Sequence, residues 1–179
     1  MTRVAGGGDD ALLLDRALPL PPAADERWSI EYYNASLDHY FMTTDAHEVM
    51  VLDEGIIAGW HRTGYVFKVY TTDSAVGLPA CRFFGTPGVG PSSHFFTILD
   101  FECAIVKNNP LWLFEGIVFR AEPPDGIGAC PSNRVPVTRM YNNGKGGQAN
   151  HRYLTSHSEI AAMLREGWII EGTVFCSLP

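Results

Sequence analysis

Two periodicities alternate along the chain from about residue 30 onward. Short runs rich in Tyr, Phe and Thr come in pairs: Tyr32-Tyr33 then His39-Tyr40-Phe41, Phe83-Phe84 then His94-Phe95-Phe96, Met140-Tyr141 then His151-Arg152-Tyr153. Turn residues such as Gly88-Val89-Gly90 and Asn143-Gly144 separate the members of a pair, which predicts a hairpin. Apolar positions at helical spacing follow, with Val49 and Leu52, Cys103 and Val106, and Ile160, Met163 and Leu164. They predict one helix of about three turns, ended by Gly55, by Asn109-Pro110 and by Gly167. A run such as Tyr65-Val66-Phe67-Lys68-Val69-Tyr70 supplies a last strand. The unit is β-β-α-β, and it occurs three times.

The spacing of landmarks carries the repeat. Trp60, Gly64 and Phe67 correspond to Trp112, Gly116 and Phe119 and to Trp168, Gly172 and Phe175, with four residues from Trp to Gly and three from Gly to Phe each time. The histidines 39, 94 and 151 precede Glu48, Glu102 and Glu159 by nine, eight and eight residues. One helix and three strands cannot bury their own apolar faces, so the units are expected to share a core with approximate threefold symmetry. The expected class is α+β with mostly antiparallel strands: one domain over residues 30–179, with units at about 30–78, 79–128 and 129–179. Residues 1–29, with Gly6-Gly7-Gly8 and Leu18-Pro19-Leu20-Pro21-Pro22, are expected to form a flexible tail or linker.

Composition narrows the classes of function. With 46% hydrophobic residues, 12% of the chain aromatic, a packed core is within reach. A net charge of −7 and only 13 scattered Lys and Arg argue against a nucleic-acid or anionic-membrane surface. Leu12-Leu13-Leu14, broken by Asp15-Arg16, is too short for a signal-peptide core or a membrane span, so no membrane insertion is expected. Cys81, Cys103, Cys130 and Cys176 lack CxxC spacing. Four cysteines allow three pairings, of which Cys81 with Cys103 and Cys130 with Cys176 is preferred; free buried thiols are the alternative.

Candidate chemistry centres on His39, His94 and His151. Alternation along a strand puts each on one face with the aromatic two residues later, Phe41, Phe96 or Tyr153. An aromatic ring beside His and amide or carboxylate side chains suits a pyranose. Three imidazoles on an axis could hold a metal, but no HxH or HxxxH spacing supports that. The plain alternative is a packed His bonded to backbone. Glu48 and Glu159 have capping-box spacing from Asp45 and Ser156; Leu99 cannot cap in the second unit, and Asp100 would shift the cap. The tryptophans read as core anchors, and the Gly four residues after each as a left-handed or close-approach position. Ser92-Ser93-His94 is a weak catalytic juxtaposition, and Asn34-Ala35-Ser36 is a glycosylation sequon. No cofactor motif is present.

The strings His94-Phe95-Phe96-Thr97, Phe101-Glu102-Cys103-Ala104, Trp112-x-x-Glu115-Gly116-x-x-Phe119 and Asn150-His151-Arg152-Tyr153 resemble an uncharacterised repeat family. Its pattern, "H-F/Y-Y-T … W-x-x-E-G-x-x-F", occurs in accessory domains of secreted bacterial proteins and in some fungal proteins. The resemblance spans residues 30–179. It implies an extracellular setting and favours disulfides, one of them through Cys103, but no established activity. Two departures stand out: Thr63 replaces the Glu before Gly in the first unit, and Arg152 the aromatic after His in the third.

The leading expectation is a lectin-like module for glycan or cell-wall polysaccharide with up to three equivalent shallow sites, two of them weakened by those departures. The residues expected to contact ligand are Asn34, Asp38, His39, Tyr40, Ser93, His94, Phe95, Asn142, Asn150, His151 and Arg152. A secreted hydrolase with one asymmetric site near His94, Ser92 and Ser93, and a structural or protein-interaction module, are the alternatives.

Overall fold

The computed structural model describes residues 22–179. Among these, β-β-α-β occurs three times. The first unit holds β1 (Glu26–Asn34), β2 (His39–Thr43), α1 (Ala46–Asp53) and β3 (Trp60–Tyr70). The second holds β4 (Leu78–Gly85), β5 (His94–Thr97), α2 (Asp100–Lys107) and β6 (Trp112–Ala121). The third holds β7 (Val135–Tyr141), β8 (His151–Leu154), α3 (His157–Arg165) and β9 (Ile169–Ser177). The class is α+β, and the strand pairings among the described residues are antiparallel. Of the expected tail, residues 1–21 lie outside the described residues. Its last part is already fold, because β1 starts at Glu26 and Trp28 packs on the core.

Within each unit the first strand lies between the second and the third, giving the orders β2-β1-β3, β5-β4-β6 and β8-β7-β9. The three third strands meet pairwise, in part through the residue just past a strand's end, by single contacts: Tyr70 with Arg120, Lys68 with Leu178, and Glu122 with Cys176. Beneath them Phe67, Phe119 and Phe175, the last landmark of each unit, bury their rings together with Met42, Phe96 and Tyr153. Phe175 lies 5.9 Å from Phe67 and 5.5 Å from Phe119 between ring centroids. The units therefore share one core.

The helices are shorter than expected, at 8, 8 and 9 residues, little more than two turns each. Gly55 and Gly167 adopt φ of 69° and 91° just past their ends, so left-handed glycines stop α1 and α3. Leu164 is 46% exposed and so does not belong to the buried face formed by Ile160 and Met163. Asp45 and Ser156 accept amide hydrogen bonds as N-caps, but Glu48 and Glu159 do not return to close capping boxes. Leu99 itself is the N-cap of α2 and makes no side-chain bond, so the cap does not shift to Asp100.

The glycine after each Trp does adopt positive φ, 87° at Gly64, 129° at Gly116 and 130° at Gly172. It sits at an irregularity in the ladder. Arg82 pairs with Gly116 while Phe83 pairs with Phe114, so Glu115 bulges out; Arg139 with Gly172 and Met140 with Ile170 do the same for Glu171. A bulge re-aims a side chain, and here it is the glutamate's. Both preferred disulfides are present, Cys81–Cys103 and Cys130–Cys176. They indicate an oxidising setting. No helix among the described residues is long and apolar enough to cross a membrane.

Candidate functional site at the unit junctions

The helix glutamates point across to the next unit. Glu48 on α1 accepts from both terminal nitrogens of Arg82 on β4, at 2.8 and 2.7 Å. Arg82 Nε lies 2.8 Å from the bulged Glu115, close enough for charge though not aligned as a hydrogen bond. Between the second and third units Glu102 takes the same part with Arg139, at 3.1 Å twice, and Arg139 Nε donates to the bulged Glu171 at 2.7 Å. Each guanidinium lies over a ring of the preceding unit, Arg82 over Phe41 and Arg139 over Phe95.

The junction from the third unit back to the first reverses the parts. Arg152 stands where Phe41 and Phe95 stand, and Glu31 where Arg82 and Arg139 stand. Arg152 donates to both oxygens of Glu31, 2.9 Å each, and to Glu159 at 3.0 Å, while Thr63 donates to Glu31 at 2.6 Å. Burial pushes the Glu31 carboxyl up despite the pull of Arg152 and Thr63. The two departures from the repeat, Thr63 and Arg152, are thus halves of one exchange. Each junction keeps two carboxylates and one guanidinium.

The strand register corrects the equivalence of the histidines. Opposite the second aromatic of each pair stand Tyr40 across from Tyr33, His94 from Phe84, and His151 from Tyr141. His39 is one place earlier, across from Asn34, where the other units have Ser93 and Asn150. His94 Nε2 and His151 Nε2 approach Glu115 and Glu171 at 3.6 and 3.7 Å, whereas Tyr40 lies under the Arg152 guanidinium. Three like histidine sites are therefore not present.

The extra histidine creates something the other junctions lack. His39 Nε2 lies 3.0 Å from His94 Nδ1, the rings roughly stacked at 5.0 Å. The Glu115 carboxylate on the far side of His94 favours a proton on Nε2, so His94 Nδ1 accepts and His39 donates. Burial holds His39 down at about 4, and burial with His39 and Arg82 nearby holds His94 well below the usual imidazole range. Both rings are neutral at physiological pH. They form one wall of a cavity of about 260 Å³ whose other walls include Phe41, Trp60, Phe84 and Ile57, with Glu48 and Ser92 as polar edges.

Other expected ligand contacts are occupied otherwise. Asn34, Asn142, Asn150 and Ser93 are buried. Asn34 Oδ1 accepts from the Ser36 and Leu37 amides, so the sequon amide is folded into the β1–β2 turn. Asn142 accepts from the Gly144 and Asn150 amides and shapes the β7–β8 turn. Asn150 donates to the Asp38 carbonyl, while the Asp38 carboxylate accepts from Tyr33 at 2.8 Å. Phe95, His151 and Arg152 are interior, and His151 is held at about 3 by burial and Arg139. His94 offers no nitrogen to Ser92, since both face other partners. Trp168 is buried; Trp60 and Trp112 are half-buried. Among the described residues no three His, Cys, Asp or Glu side chains are grouped to hold a metal ion.

A family model described as "Domain of unknown function (DUF5648)" matches residues 29–122 and again 125–178. The chain belongs to the DUF5648 family. No curated protein and no solved structure matches it significantly. The first match spans the first two units of this DUF5648 chain and the second covers the third unit.

Proposed function

We propose that this domain is a secreted carbohydrate- or cell-wall-binding module, its three units set about an approximate threefold axis, with one principal site between the first and second units. The cavity beside the His39–His94 pair carries this reading. Rings of Trp60 and Phe84 offer faces for the C–H side of a sugar, and Glu48 and Ser92 offer hydrogen bonds beside two neutral imidazoles. Few polar groups among aromatic walls is the usual make-up of a small-molecule site. At the other two junctions Ser93 and Asn150 stand where His39 stands, so the imidazole pair is not repeated there.

The test is a glycan and cell-wall-fragment array probed with the wild-type domain and with Phe84→Ala and His94→Asn. Binding that both substitutions abolish supports the site. Binding that survives both puts the ligand elsewhere, and no binding to any glycan removes the reading.

A further inference from the structure

We infer that the site is a two-part cleft for a linear oligosaccharide, with Trp60 standing between two subsites; this rests on the carbohydrate reading above. Trp60 and Leu52 line not only the histidine cavity but also a larger groove of about 560 Å³ on its other side. The cavity of about 260 Å³ falls just short of the roughly 300–1,000 Å³ usual for a ligand site, and the two depressions together fall within it. A half-buried indole between them can stack on a ring from either side.

The groove has its own polar equipment. Arg62 and Asp53 make a two-point pair, Nε to Oδ1 at 2.9 Å and a terminal nitrogen to Oδ2 at 2.5 Å, and Tyr32 donates to Asp53 at 3.0 Å. The Asp53 side chain is 36% exposed, so a fixed carboxylate faces the groove beside a fixed guanidinium. Such a pair can accept from one hydroxyl and donate to its neighbour, the pattern a pyranose presents.

One loop borders both depressions. Residues 54–59 join α1 to β3, where the corresponding joins run 108–111 and 166–168. Gly55, Ala58 and Gly59 line the groove and Ile57 lines the cavity. Gly59, at φ of 88°, packs on Asn34, where any Cβ would come within 2.9 Å of the side-chain amide. Asn34 is thus a positioning residue for the loop rather than a ligand contact.

Calorimetric titration with cello-, chito- and manno-oligosaccharides of one to six rings tests this. Affinity for the series that binds should rise at least tenfold from one ring to four and then level off. Ala58→Arg, which fills the groove from an exposed position and leaves Asp53 and Arg62 in place, should return the four-ring affinity to the one-ring value while leaving one-ring binding intact. Arg62→Ala should likewise lower the four-ring affinity. Affinity independent of length, or four-ring binding unaffected by Ala58→Arg, overturns the two-part cleft but not the carbohydrate site. Absence of binding to every series overturns both.

Discussion

Replacing Arg152 by Phe should destabilise the domain severely, and adding two further substitutions should repair it. The single change places at the third-to-first junction the kind of residue found at the other two. It also strands Glu31, which is 5% exposed, without the guanidinium that now makes two 2.9 Å bonds to it. Removing one partner of a buried pair costs about 3–5 kcal/mol, because the remaining charge stays buried. At roughly 2–4 °C per kcal/mol for a domain of this size, the melting temperature should fall by about 6–20 °C. The triple variant Glu31→Arg, Thr63→Glu, Arg152→Phe restores the pattern of Arg82 with Glu115 and Arg139 with Glu171, and should recover at least half of the loss. Urea unfolding followed by tryptophan fluorescence, disulfides intact, measures both. A triple variant no more stable than Arg152→Phe alone would refute the idea that the two departures are one exchange.

Three other outcomes follow from the same structure. His39 and His151 are neutral when folded and take up protons on unfolding below about pH 6.5. Stability should therefore fall on acidification from about 6.5 towards the folded values of about 4 and about 3, at up to about 1.4 kcal/mol per pH unit for each ring. His39→Asn should flatten that slope in urea titrations at pH 7, 6 and 5, and an unchanged slope would contradict the burial argument. Opening Cys130–Cys176, which spans 46 residues, should cost about 4 kcal/mol, and opening Cys81–Cys103, which spans 22, about 3.4 kcal/mol, both measurable by replacing each pair with Ala. Gly116→Ala meets no atom within 4 Å yet forces a Cβ onto φ of 129°, and should cost about 1 kcal/mol or more. A neutral result there would mean the bulge can relax.

Local features of the fold were legible because local spacing determines them. The β-β-α-β order, the helix stops at Gly55 and Gly167 and the positive φ of Gly64, Gly116 and Gly172 follow from residues close in the repeat, and each disulfide joins two cysteines of one unit. Contacts between units were not legible in that way. Glu48 meets Arg82 34 residues on and Glu102 meets Arg139 37 residues on, so nothing in either helix announces the partner, and capping-box spacing offered a nearer one. The histidine slip did leave a trace. The interval from His39 to Glu48 is one residue longer than in the other units, because His39 stands one position before the place that His94 and His151 hold, and so meets His94. Polar residues beside the strands looked like ligand hooks, but Asn34 and Asn142 shape turns, as short amides do when backbone amides need acceptors.

In the proposed module one junction, not three, presents the binding site. The direct measurement compares glycan affinity of Trp60→Ala, Trp112→Ala and Trp168→Ala, each confirmed folded by circular dichroism, against the wild type. The cavity and groove share only Trp60 among these, so Trp60→Ala should lose at least tenfold while folded Trp112→Ala and Trp168→Ala retain wild-type affinity. Equal partial losses from all three would instead mean three like sites and contradict the account.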